Sequence, residues 1–376
     1  MIKGLFLHNP LDLNSKIPGG VQICSQEFLK ILKATASELH YFEVGYNKSL
    51  IFRLLYKLNL DNYISYDVNK YTKTLIATIS EKQITHVFIN KSELIRFSRI
   101  IKDKFQHVKV IIMSHGNESG DFLGDLTGIK PRFKGLKKYT GLLKLGLALF
   151  TESFYRKRYV DLVCTMSEEE SAVEKWLGLN YPFYIPRLID KTVQIKRAPI
   201  KNVFGYVGTL NHTPNIIALH QLFEKLAELK LSLEVRIVGQ PTEIGENLQL
   251  KYDFVNYLGP LSDEDLLKEV ANWSFFINPI FNYSRGASMK LAKAIEWEIP
   301  TVTTFAGKRG YVINKGSLLE TENIPASMAA TIATCTQCTE NDYQNYVNET
   351  IAVKNSSVTV NELATQLKKS LLQLSV

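Results

Sequence analysis

The stretch "NVFGYVGTL", residues Asn202–Leu210, decides the fold. It reads as a buried strand running into a glycine-bearing turn, and "NHTPN" (Asn211–Asn215) behind it puts Pro214 at the opening of a helix. The runs "LEVRIVG" (233–239), "VNYLGPL" (255–261), "SFFINP" (274–279) and "IPTVTTF" (299–305) follow as strands, with helical stretches between them. One of those helices, "SDEDLLKEVAN" (262–272), has Ser262 or Asp263 as its N-cap. Strands alternating with helices in this way build a doubly wound parallel sheet.

The same pattern opens the chain. "IKGLFLHNP" (2–10) is a short strand, "LDLNSKIPGG" (11–20) a loop with paired glycines, and "VQICSQEFLKILKA" (21–34) has apolar residues at helical spacing. The loop lies at the strand's carboxyl end, where parallel sheets bind ligands. "THVFIN" (85–90), "VKVIIMSHG" (108–116) and "VDLVCTMS" (160–167) read as later strands of that sheet. The expected fold is α/β, with two Rossmann-like doubly wound domains facing across a cleft. The expected boundaries are a first domain over 1–187, a basic linker over 188–200, and a second domain over 201–355. The amphipathic tail, 356–376, is expected as a helix packing back on the first domain.

A length of 376 residues suits two cores of ordinary size, and 45% hydrophobic with 22% charged residues excludes a disordered or fibrous chain. The net charge of +8 favours an anionic partner. No helix-turn-helix, zinc or RNA-binding signature accompanies that charge, so nucleic acid is not the expected partner. Cys335 and Cys338 form a lone C-x-x-C without a second pair or nearby histidines, and read as ordinary residues of a reducing cytosol. The amino terminus has no apolar run of signal-peptide length, and "GLLKLGLALF" (141–150) is half a membrane span, broken by Lys144.

"RGASMKLAKAIEWEIPTVTT" (285–304) lines up Arg285, Lys290 and Lys293 on what otherwise reads as a helix start packed under a strand. A nucleotide diphosphate leaving group would account for the cations. Its departure from a sugar carbon builds charge on phosphate oxygens, which fixed Arg and Lys groups and helix N-terminal N–H groups stabilise. The alternative is a solvated helix edge.

Those segments, in their order and spacing, resemble the carboxyl-terminal half of GT-B glycosyltransferases of the large retaining family 4, the glycosyl transferases group 1. The "GGVQ" loop (19–22) and "SHGNE" (114–118) fit that family's acceptor-side domain. The resemblance implies roles residue by residue. Gly19 and Gly20 would stand near the donor diphosphate, His115 would contact the transferred sugar, and Gly208 and Thr209 would form the turn facing the diphosphate. Arg285 and Lys290 would neutralise the leaving group. No metal and no cofactor is implied, the nucleotide-sugar being a substrate. Where the family has a glutamate for the donor ribose, this chain has Lys293, which has no acceptor to offer; Glu296 either replaces that carboxylate or merely pairs with Lys293. Asp263 and Asp265, although a D-x-D, fall in a helix cap and are not expected as metal ligands.

Residues 130–158 carry Lys130, Arg132, Lys134, Lys137, Lys138, Lys144, Arg156, Lys157 and Arg158 against the single acid Glu152, interleaved with leucine and aromatic residues. Such a segment suits an anionic bilayer surface. The expectation is a cytoplasmic, peripheral enzyme on the inner face of the membrane. It would transfer sugar to a glycan or lipid-linked glycan in the synthesis of cell-surface polysaccharide or glycoconjugate. The alternative is a non-catalytic GT-B subunit that binds glycan or stabilises a catalytic partner.

Overall fold

The computed structural model describes residues 1–376 except 15–18, 59–61, 128–134, 283–285, 314–317 and 375–376. The chain divides into two compact units. The first comprises Met1–Pro186 with Gly286 and Thr359–Val376, and the second Arg187–Tyr283 with Ala287–Val358.

The first unit is built on six parallel strands: β1 (Lys3–His8), β2 (Glu38–Glu43), β3 (His86–Asn90), β4 (Lys109–Met113), β5 (Leu162–Thr165) and β6 (Pro182–Tyr184). Their spatial order is β2-β1-β3-β4-β5-β6. The chain steps from β1 to β2 on one side and then crosses to β3 on the other, so a topological switch point lies between β1 and β3. β3 is buried along its whole length, as a central strand covered on both faces must be. Helix Val360–Gln373 packs on helix Gly20–Thr35 and buries Leu363, Ala364, Leu367 and Leu371.

The second unit repeats the plan with β7 (Ile200–Val207), β8 (Glu234–Val238), β9 (Val255–Gly259), β10 (Trp273–Asn278), β11 (Thr301–Thr304) and β12 (Leu319–Thr321). These strands are also all parallel, in the order β12-β11-β10-β7-β8-β9. Its switch point lies between β7 and β10. Helix Thr213–Leu229 buries Leu219, Leu222, Phe223 and Leu226 against this sheet. Of the two candidate caps at 262 and 263, the structure uses Ser262, whose Oγ accepts from Asp265 N at 3.1 Å. Burial pushes the Cys335 thiol up to about 12, so it stays protonated and behaves as a core residue.

The basic segment divides into two faces. Residues 130–134 lie outside the described residues, and Leu136–Tyr159 is one long helix. Two of the cations counted toward the docking segment, Lys144 and Arg156, do not face outward. Arg156 is 1% exposed and forms a two-pronged ion pair with Glu174, its Nη2 donating to Oε1 at 2.7 Å. Lys144 is buried with its ammonium 4.8 Å from the Phe122 ring centroid. Glu152 faces inward too, accepting from Tyr63 Oη and from Ser119 N and Oγ. A fully buried guanidinium needs such a partner, and the helix's periodicity sends positions 144, 148, 152 and 156 to the core. The outer face carries Tyr139, Leu142, Leu143, Leu147 and Phe150, exposed between 45% and 71%, with exposed Lys138, Lys157 and Arg158.

Candidate active site

In the second unit, polar groups collect at the carboxyl ends of β7 and β10, the switch point of that sheet. β7 runs out into Gly208 and Thr209. The turn is pressed close to the one after β8: Gly208 N donates to Val238 O at 3.0 Å, and a Cβ on Gly239 would lie 2.0 Å from Gly208 O. Gly239 is therefore required by close backbone approach. A Cβ on Gly208 would stand 2.9 Å from the Tyr206 hydroxyl. That hydroxyl is itself buried without a hydrogen-bond partner among the described residues.

Helix Thr213–Leu229 begins directly behind this turn, with Pro214 in its first turn, where a missing N–H costs nothing. Its residue Asn215 ties the site together. Asn215 Nδ2 donates to Thr209 O at 2.9 Å, and its Oδ1 accepts from Lys290 Nζ at 2.9 Å.

Lys290 lies in the first turn of helix Met289–Glu296, which Ser288 caps by accepting from Leu291 N at 3.4 Å. Ser288 also donates to Asn278 Oδ1 at 3.1 Å, which fixes the helix start to the end of β10. The Lys290 ammonium is half-buried and 5.5 Å from the Tyr206 ring centroid. Burial, and after it the charge of Arg309, brings its pKa down from 10.5 to about 8. Arg309 is 8% exposed and held by its Nη1 donating to Ala306 O at 2.7 Å. A cationic pair desolvated beside a helix N-terminus is a poor arrangement for an empty protein and a good one for an anion.

Arg285 lies outside the described residues. Lys293 sits toward the outside of the same helix, its side chain 48% exposed, 2.6 Å from Glu296 Oε2. Glu296 is buried, and its Oε1 accepts from Asp190 N at 3.2 Å. Both of its oxygens are thus engaged within the second unit. Asp263 and Asp265 lie in the first turn of the Ser262-capped helix.

In the first unit the corresponding strand ends belong to β1, β3 and β4. Gly19 caps helix Gly20–Thr35, its N–H donating to Gln22 Oε1 at 3.1 Å. A Cβ on Gly19 would meet only the movable end of Gln22, and a Cβ on Gly20 would meet nothing within 4 Å. Neither glycine is demanded by its neighbours among the described residues. His115 follows β4, half-buried, its ring perpendicular to that of Phe28 with centroids 5.4 Å apart, and Nε2 2.9 Å from Asn90 Oδ1. Glu118 begins helix Glu118–Thr127.

Asn215 and Arg309 were not singled out in the sequence. Asn215 was legible only as part of a helix opening, because its second role is a contact across 75 positions. Arg309 carries no motif, its place being set by the loop that returns it to Lys290.

Residues 201–337 match the family described as Glycosyl transferases group 1. No curated protein matches the sequence significantly. Solved structures resemble the whole chain. Sucrose-phosphate synthase from Thermosynechococcus elongatus has 13% identity and a TM-score of 0.70, covering 100% of this chain and 99% of that one. Anabaena Alr3699/HepE in complex with UDP and glucose has 14% identity and a TM-score of 0.64, covering 99% and 100%. The lipopolysaccharide outer core galactosyltransferase WaaB has 13% identity and a TM-score of 0.63, covering 99% of each chain. At these identities the likeness is one of fold. Residues 201–337 thus carry a glycosyl transferases group 1 domain, and the whole chain shares the fold of these glycosyltransferase structures.

Proposed function

We propose that the protein transfers a sugar from a nucleoside diphosphate donor to a glycan or lipid-linked glycan, with retention and without a metal. The observation that carries the reading is Lys290: half-buried, anchored to the turn after β7 through Asn215, and kept beside Arg309 at a cost in self-repulsion that a diphosphate would relieve. When the bond from the anomeric carbon to the diphosphate oxygen breaks and one to the acceptor oxygen forms, negative charge grows on the diphosphate. Lys290, Arg309, Arg285 and the N–H groups at the Gly208–Thr209 turn and the helix starts are the groups assigned to it. The Lys293–Glu296 pair is assigned to the nucleoside end and His115 to the transferred sugar. That Alr3699/HepE was solved with UDP and glucose supports a nucleoside diphosphate donor for a chain of this fold.

The acceptor is assigned to a membrane-borne glycan at the cytoplasmic face, in the synthesis of surface polysaccharide or glycoconjugate. The exposed apolar stripe from Tyr139 to Phe150, bounded by Lys138, Lys157 and Arg158, supports docking on anionic lipid. The exposed Leu50, Ile51, Leu54 and Leu55 of helix Leu50–Leu58 add to it in the same unit. No helix among the described residues is long and apolar enough to cross a membrane.

Calorimetric titration with a panel of nucleoside diphosphates tests the donor site. One nucleotide should bind, and Lys290→Ala and Arg285→Ala should each abolish or strongly weaken it; binding indifferent to both changes would refute the assignment. Sedimentation with vesicles tests the surface. Association should require anionic lipid and be lost when Lys138, Lys157 and Arg158 are reversed to glutamate.

A further inference from the structure

At the carboxyl ends of β1, β3 and β4 lies a buried polar network with no role in the reaction as described so far. Asn90 closes β3 and is fully buried. Its Nδ2 donates twice, to Asp12 Oδ2 at 3.1 Å and to Ser25 Oγ at 3.0 Å, while its Oδ1 lies 2.9 Å from His115 Nε2, and Ser25 Oγ lies 3.5 Å from that same ring nitrogen. Asp12 Oδ1 holds Lys91 Nζ at 2.8 Å. Asp12, Ser25, Asn90 and Lys91 are all 8% exposed or less.

The backbone is strained to make this arrangement. Lys91 has φ 79° and ψ 144°, a conformation close to one that non-glycine residues essentially avoid. Its N–H is nonetheless satisfied, donating to Met113 O at 3.0 Å. The turn thus holds an ammonium against Asp12 directly beneath the residue that touches His115.

The acceptor-only groups orient the chain from Asp12 to the ring, and the Ser25 hydroxyl, able to donate or accept, follows them. A carboxylate paired with an ammonium accepts only, so the amide nitrogen of Asn90 must face Asp12. Its amide oxygen must therefore face the histidine, and an amide oxygen also accepts only. Nε2 of His115 must carry the proton, and in the neutral ring Nδ1 is then the acceptor.

We propose that Asp12 and Asn90 are positioning residues that hold His115 in its Nε2–H form toward the transferred sugar. The proposal rests on the assignment of His115 to that sugar, made above.

Asp12→Asn tests it from a residue that does not touch the histidine. The new side chain has one acceptor oxygen, which Lys91 claims, and turns its amide nitrogen toward Asn90. Asn90 must then reverse and present Nδ2 to His115, driving the ring proton to Nδ1. Ser25, both donor and acceptor, serves either orientation. Histidine nitrogen NMR of the full chain reads the tautomer directly, with the His115 signals identified by their loss in His115→Gln. The expected result is Nε2–H in the wild type and Nδ1–H in Asp12→Asn, with kcat/KM for the donor lowered roughly tenfold or more. The double variant Asp12→Asn/Asn90→Asp gives the ring a carboxylate to donate to. Wherever the ring is neutral, it should restore the Nε2–H form and recover much of the rate, which a merely structural role would not do. An Nδ1–H ring in the wild type, or a tautomer indifferent to Asp12→Asn, overturns the proposal. If the tautomers behave as stated but His115→Gln turns over normally, the sugar contact falls while the tautomer assignment stands, so the two failures are distinguishable.

Discussion

Binding of a nucleoside diphosphate should take up a proton above pH 8, and the proton should go to Lys290. In the free protein its ammonium titrates at about 8 instead of 10.5, burial being the larger cause and Arg309 the smaller. Near pH 8.5 such a group is about three-quarters deprotonated. A bound diphosphate supplies two or more negative charges at contact distance and returns the lysine to its charged form. Binding should then absorb up to about 0.75 proton, and affinity should fall about tenfold between pH 7 and pH 9 as the free form loses its charge. The assay is calorimetry in two buffers of different ionisation enthalpy, whose difference in apparent heat gives the proton uptake. Lys290→Gln serves as the control for ionisation of the nucleotide itself. Equal proton uptake by wild type and Lys290→Gln, or an affinity flat across that pH range in the wild type, would refute the reasoning.

The same depressed pKa has a consequence for the protein without ligand. Between about pH 8 and 10.5 the unfolded chain binds more protons at Lys290 than the folded one, so this group's contribution to stability rises with pH in that window. Below pH 8 the folded state carries the cost of a desolvated cation, at most about 3 kcal/mol for a half-buried group. A saturating diphosphate should cancel the dependence, which thermal unfolding across pH with and without ligand would reveal.

Asn215→Ala removes the charge-assisted bond to Lys290 and the tie to Thr209, and should weaken diphosphate binding roughly tenfold by calorimetry while far-ultraviolet circular dichroism is unchanged. Gly239→Ala places a Cβ 2.0 Å from Gly208 O, backbone against backbone; denaturant unfolding should show a loss of about 1–3 kcal/mol or more. Tyr206→Phe removes a hydroxyl with no partner among the described residues, so the thermal midpoint of the ligand-free protein should hold or rise slightly. Arg156→Ala leaves Glu174 buried without its guanidinium and should cost about 3–5 kcal/mol, whereas Lys157→Ala and Arg158→Ala, on exposed positions, should leave the denaturation midpoint in place.

These contrasts mark where a sequence can be read and where it cannot. The central strands were legible because strands buried on both faces are written as continuous apolar runs: "HVFIN" in β3 and "WSFFIN" in β10 have no exposed position. The strands that sequence patterning passed over, β2, β6 and β12, are all at sheet edges. β6 and β12 are three residues long, and β2 buries only Phe42, so none has enough one-sided burial to impose a pattern. The site follows the same division. Gly208, His115 and Lys290 could be picked out because turns and helix starts have local chemical requirements that appear as neighbouring letters. What organises them does not. Asn215 reaches Lys290 across 75 positions, Asn90 reaches Asp12 across 78, and Arg156 is turned from a surface cation into a core one by Glu174, 18 positions away. In each case the side chain's role is set by a partner that the fold alone brings near, and the charge count of a segment cannot distinguish a cation that meets solvent from one that meets a buried carboxylate. The basic helix shows the limit most clearly: its letters record nine cations from 130 to 158, but its 3.6-residue period turns Lys144 and Arg156 inward and leaves Lys157 and Arg158 to whatever the outer face meets.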